Sequence, residues 1–75
     1  MKKYMVPLKN ILVDVYSVRY LCKYEVGFKN ENPYCIKIKS DDAVFTVDYK
    51  NVQDRDRDYD NLQALVLKFV NEEKI

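Results

Sequence analysis

The sequence has no histidine and no tryptophan, and only one glycine, two prolines and two cysteines among its 75 residues. Each scarcity removes a class of chemistry. Without imidazole there is no histidine base and no histidine-activated nucleophile. With Gly27 as the lone glycine, no glycine-rich phosphate loop can form. Two cysteines and no histidine fall short of a four-ligand zinc site. No apolar run approaches the ~18 residues that a membrane-spanning helix requires. Met1-Lys2-Lys3 is followed by no apolar stretch of signal-peptide length, so reduced thiols and a cytoplasmic location are expected. The expectation is a non-enzymatic chain with no metal and no cofactor.

What is present fits one small domain spanning residues 1–75. A chain this short buries only about 60–65% of its unfolded surface, so its core is marginal and calls for a staple. Seven tyrosines and three phenylalanines offer dense packing, and pairing of two chains into a homodimer is the other route to stability. Charge is divided unevenly. Residues 1–40 hold eight basic and three acidic side chains, whereas residues 41–75 hold five and nine. Such a division either steers a partner or is neutralised within the fold.

The pattern predicts an α+β fold with a three-stranded antiparallel sheet and a C-terminal helix on one face. Leu62, Leu65, Val66, Phe69 and Val70 recur at helical spacing, and Asp60 stands three residues before Gln63, which predicts a helix over 60–73. Residues 34–39 and 43–49 alternate with period two around the turn Ser40-Asp41-Asp42. Pairing Ser40 with Ala43 sets Ile38 opposite Phe45, Ile36 opposite Val47 and Lys37 opposite Thr46. Residues 20–28 supply a third strand. A register with Glu25 opposite Lys37 places Cys22 across from Ser40 and Cys35 across from Gly27. The cysteines then lie ~13 Å apart along the ladder, too far for a disulfide. It also puts Tyr20, Cys22 and Tyr24 on the face opposite Lys23, Lys37 and Lys39. Residues 8–17 fit both periods; Pro7 at a first helical position favours a short helix there, giving the order α-β-β-β-α.

The segment Asp54-Arg55-Asp56-Arg57-Asp58-Tyr59-Asp60 is the most unusual. It is not an EF-hand loop, since Tyr59 stands where glycine is needed and Leu65 where glutamate is needed. As an extended strip it would carry four aspartates on one edge, a spacing that imitates a phosphate backbone. As a plain helix start it would suit the helix dipole. The leading expectation is a protein-binding module, with Asp54, Asp56, Asp58, Tyr59 and Asp60 as the partner-binding residues. Small proteins of this size and composition suggest a phage or mobile-element inhibitor that occupies a host nuclease or defence enzyme. The alternative is a nucleic-acid-binding protein using Arg19, Lys23, Lys37 and Lys39 on a basic sheet face. The third is a structural homodimer or complex subunit. The element order is also that of double-stranded-RNA-binding domains. Those carry a lysine cluster at the start of the last helix, where this sequence has aspartates, so no membership is read.

Overall fold

The computed structural model describes residues 3–73. Five strands precede one helix: β1 (Met5–Leu8), β2 (Ile11–Asp14), β3 (Val18–Glu25), β4 (Tyr34–Ser40), β5 (Val44–Tyr49) and α1 (Val52–Glu73). β3, β4 and β5 form an antiparallel sheet in that order, and β1 and β2 form a separate hairpin. The helix lies on one face of the sheet. No helix among the described residues is long and apolar enough to cross a membrane.

The β4–β5 pairing is the one that the alternation predicts, with Ile38 opposite Phe45, Ile36 opposite Val47 and Lys37 opposite Thr46. Ser40 closes the turn twice, its backbone N–H donating to the Ala43 carbonyl at 2.8 Å and its hydroxyl donating to the same oxygen at 3.1 Å. Ile36, Ile38 and Leu62 are fully enclosed between sheet and helix. Each such side chain contributes roughly 1.5–3 kcal/mol relative to exposure. Val47, Tyr49, Val18, Leu8, Val13 and Val15 complete the core.

Three expectations are corrected. Residues 8–17 are not a helix. They make the β1–β2 turn, strand β2 and a single 3-10 turn at Val15–Ser17. β-branched Ile11, Val13 and Val15 favour extended backbone. Alternation then sends Val13 inward and leaves Leu12 exposed. Lys9 takes φ 55° in the two-residue turn, a conformation rarely adopted by a lysine. Its ammonium donates to the Asp48 carbonyl oxygen and sits 5.4 Å from the Tyr49 ring centre, so the hairpin tip rests against β5.

The helix begins at Val52 rather than Asp60. Asn51 is its cap: the side-chain oxygen accepts from the Asp54 N–H at 2.9 Å. The inward positions Val52, Arg55, Tyr59, Leu62, Val66 and Phe69 keep helical spacing throughout, with an arginine stem in one apolar slot.

The third correction concerns the β3–β4 register. Glu25 meets Tyr34 instead of Lys37, a displacement of three residues, so Cys22 lies opposite Lys37 and Cys35 opposite Tyr24. Both cysteines are free. An odd displacement exchanges the two faces of a strand. This register puts Leu21 against the core and sets Lys23 and Glu25 beside the charged start of α1, where they meet Asp56 and Arg55. Tyr20, Cys22 and Tyr24 consequently turn to the face that the helix does not cover.

Candidate functional site

The helix start does not form an extended acidic strip. At 100° per residue its aspartates divide between two flanks. On the β5 flank, Asp58 accepts from the Tyr49 hydroxyl at 2.9 Å, and Arg57 lies 3.4 Å from Asp54 and 3.6 Å from Asp58. Burial and the Asp58 hydrogen bond push the Tyr49 phenol well above its ordinary value. On the β3 flank, Asp56 accepts from Arg55 Nε at 2.8 Å and lies 3.6 Å from the Lys23 ammonium. The hydrogen bond from Arg55 and the charge of Lys23 hold the Asp56 carboxyl below the ordinary range. Tyr59 points inward, half-buried, with the Lys23 ammonium 5.0 Å from its ring centre. Asp60 is exposed.

Arg55 is 4% exposed and joins helix to sheet. Its two terminal nitrogens donate to the Tyr24 carbonyl at 3.2 Å and to Glu25 at 3.3 Å, and its guanidinium lies 5.5 Å from the Tyr34 ring centre. Buried arginine is retained where every donor finds a partner. Arg55 ties helix to sheet, and Asp56 and Asp58, two of the five residues expected to contact a partner, hold internal partners.

The uncovered sheet face has a different character. β3 contributes Tyr20, Cys22 and Tyr24; β4 contributes Lys37 and Lys39; β5 contributes Val44 and Thr46. The register sets Lys39 between Tyr20 and Val44, and Lys37 between Cys22 and Thr46. Tyr20 is 53% exposed, Val44 54% exposed, and Tyr24 half-buried. Shallow hollows line this face. One is bounded by Arg19, Tyr20, Lys37, Lys39, Ser40, Asp41 and Val44, and a second by Cys22, Tyr24, Lys37 and Thr46. The neighbouring Cys22 side chain raises the Tyr20 phenol above its ordinary value, which is already high enough to keep a phenol neutral at physiological pH.

Of the four basic residues expected to act together, the fold brings three to this face. Arg19 stands at its edge, ion-paired with Asp41, while Lys37 and Lys39 project from its centre. Among the described residues no carboxylate lies within ion-pair distance of Lys37 or Lys39. Lys23 is on the opposite face, against Asp56. The tyrosines, expected on the far side from the lysines, stand beside them. The signal that locates them in the sequence is the match of Lys23 and Glu25 to Asp56 and Arg55, which fixes the inward face of β3.

The arrangement can bind by stacking, by hydrogen bonding and by ammonium–anion contact. Compared with known proteins, the chain matches no family model, and no curated protein or solved structure shows significant similarity to it.

Proposed function

We propose that this protein is a non-enzymatic binding module whose working surface is the uncovered sheet face, and that its ligand is a single-stranded nucleic acid. One observation carries the reading: Tyr20 and Tyr24 share that face with the unpaired ammonium groups of Lys37 and Lys39. Open antiparallel sheets that bind single strands combine these two elements, rings that stack on bases and cations that meet phosphates. Stacking on an aromatic side chain is worth about 1–3 kcal/mol per base. Lys37 and Lys39 are two positions apart on one strand, so their stems leave the sheet ~6.6 Å apart on the same side.

The test is fluorescence anisotropy with labelled single-stranded RNA and DNA of mixed sequence. Two phosphate contacts give a salt slope of about −1.4, or roughly sevenfold weaker binding between 50 and 200 mM salt. Tyr20→Ala is expected to weaken binding about tenfold with the slope unchanged. Joint replacement of Lys37 and Lys39 by alanine is expected to flatten the slope. Absence of binding to either polymer at low salt refutes the reading.

The second reading is an inhibitor of a host enzyme, acting through Asp54, Asp56, Asp58, Tyr59 and Asp60. In its favour, Asp54 and Asp60 are accessible near the helix start. Against it, Asp56 and Asp58 hold internal partners and Tyr59 faces the sheet. Joint Asp54→Asn and Asp60→Asn replacement separates the two readings, because it leaves the uncovered sheet face intact.

A further inference from the structure

The uncovered face changes character along its length. Cys35 shares the alternation of Lys37 and Lys39 yet is 3% exposed. At this end the connection from β3 to β4 leans over the face. Its residues Asn30, Glu31 and Asn32 border a hollow together with Tyr24 of β3 and Thr46 and Asp48 of β5. The connection is tied down. The Val26 N–H donates to the Pro33 carbonyl at 2.9 Å, and the backbone N–H and side-chain amide of Asn30 both donate to the Gly27 carbonyl at 3.0 Å. Asp48 lies 3.8 Å from the Lys9 ammonium. Among the described residues Glu31 has no ion-pair partner, and no side-chain hydrogen bond engages Glu31 or half-buried Asn32. Folding thus leaves one carboxylate and one amide unused beside a tyrosine ring. Tyr24 is itself held from behind, where its carbonyl accepts from Arg55 at 3.2 Å, and it also borders the hollow of Cys22, Lys37 and Thr46.

We propose, resting on the single-strand reading of this face, that the hollow takes one base of the bound strand and that the base is guanine. The carboxylates of Glu31 and Asp48 repel phosphate, so this end of the face receives a base rather than the backbone. A base stacked on Tyr24 leaves its phosphate toward Lys37, in the adjoining hollow. Unpaired bases are read on their Watson–Crick edges. Guanine presents two adjacent donors there, the ring N1–H and the N2 amino group, beside the O6 acceptor. One carboxylate accepts both donors at once, and an amide N–H meets O6. Glu31 and Asn32 are that pair of groups. Adenine and cytosine each turn a ring-nitrogen lone pair toward the carboxylate. Uracil flanks its single donor with two carbonyl oxygens. All three match the carboxylate less well than guanine does.

The test is fluorescence anisotropy with four labelled twelve-nucleotide RNAs: repeats of UUG, of UUA and of UUC, and an all-uridine strand. The UUG repeat is expected to bind about fivefold tighter than the other three, the low end for a base contact through two hydrogen bonds. Inosine in place of guanosine, which lacks only the N2 amino group, is expected to remove most of that advantage. Glu31→Gln is expected to abolish it while binding of the all-uridine strand does not weaken. Asn32→Ala is expected to reduce it. Glu31 is exposed, so its replacement is expected to keep the fold, which circular dichroism checks. Equal binding of the four RNAs overturns the proposal and leaves single-strand binding standing, as does a guanine preference that survives Glu31→Gln. Failure of all four to bind at low salt removes both.

Discussion

The two faces of the β3–β4–β5 sheet come from the same alternating strands and carry opposite chemistry. The covered face holds Ile36, Ile38 and Val47 against Leu62 and, where the helix begins, Lys23 and Glu25 against Asp56 and Arg55. Its polar groups have partners: among the described residues no buried side-chain nitrogen or oxygen lacks a hydrogen bond. The uncovered face holds Tyr20, Lys37, Lys39 and Val44 in the open. Side chains on the first face are therefore constrained by folding, whereas exposed Tyr20, Lys37, Lys39 and Val44 on the second are not. A residue that folding leaves free, as it does Tyr20, is where a binding role can be carried.

The contrast breaks most visibly at Leu62. It is fully buried beneath the middle of the helix, and Leu62→Ala leaves a cavity that the rigid sheet closes only in part. The expected loss is about 3–4 kcal/mol by urea denaturation, a large share of the stability of so small a domain. Tyr20→Ala and Lys37→Ala, on the other face, are expected to stay within about 0.5 kcal/mol of the parent. A loss of more than about 1 kcal/mol at Lys37 would mean that the uncovered face is itself part of the fold's support.

The next effect in size is at Arg55. Arg55→Ala removes three charge-assisted contacts and the stem that fills an apolar slot, and a loss of about 2 kcal/mol is expected. The carboxylates left behind, Glu25 and Asp56, are 50% and 41% exposed and regain water, so the cost stays below that of a fully buried pair. Arg55→Lys recovers part of it, because one ammonium cannot reach all three acceptors. If Arg55→Ala proves neutral, the fixed register of β3 must be ascribed to its apolar contacts alone.

Arg55 also marks the limit of what the sequence made legible. The three strands, the Ser40–Ala43 turn and the C-terminal helix follow from period-two and helical spacing and from turn chemistry, all of which are local. The helix start is hidden in the sequence because residues 52–59 hold only Val52 and Tyr59 as inward hydrophobics; an arginine completes the face and no apolar count registers it. The β3 register is hidden for the same reason at longer range: Lys23 and Glu25 meet a helix start about thirty residues later, and period two alone permits either face. The side of the sheet that carries Tyr20 and Tyr24 is hidden with it, whereas that of Lys37 and Lys39 is legible because the β4–β5 turn fixes it locally. The N-terminal hairpin fits helical and extended periods equally, and its outcome rests on tertiary burial of Leu8 and Val13.

The smallest effect expected on the covered face is at Tyr49, and it is seen as a pH dependence. The phenol is 4% exposed and donates to Asp58. Burial, followed by that hydrogen bond, raises its pKa in the folded state above the ordinary value of about 10 that it has in the unfolded chain. The unfolded chain therefore releases this proton first as pH rises. The stabilisation is complete below about pH 10 and is lost progressively above it. Tyr49→Phe keeps the ring in the core and removes the titrating group. At neutral pH it is expected to cost about 1 kcal/mol, the net worth of one hydrogen bond whose acceptor can return to water. Above pH 10 the parent should lose stability faster than the variant, and the two curves should converge. Parallel curves between pH 8 and pH 11 would show that Tyr49 ionises as readily in the folded chain as in the unfolded one. The helix flank would then be open to water, and the covered face would differ less from the uncovered one than its geometry implies.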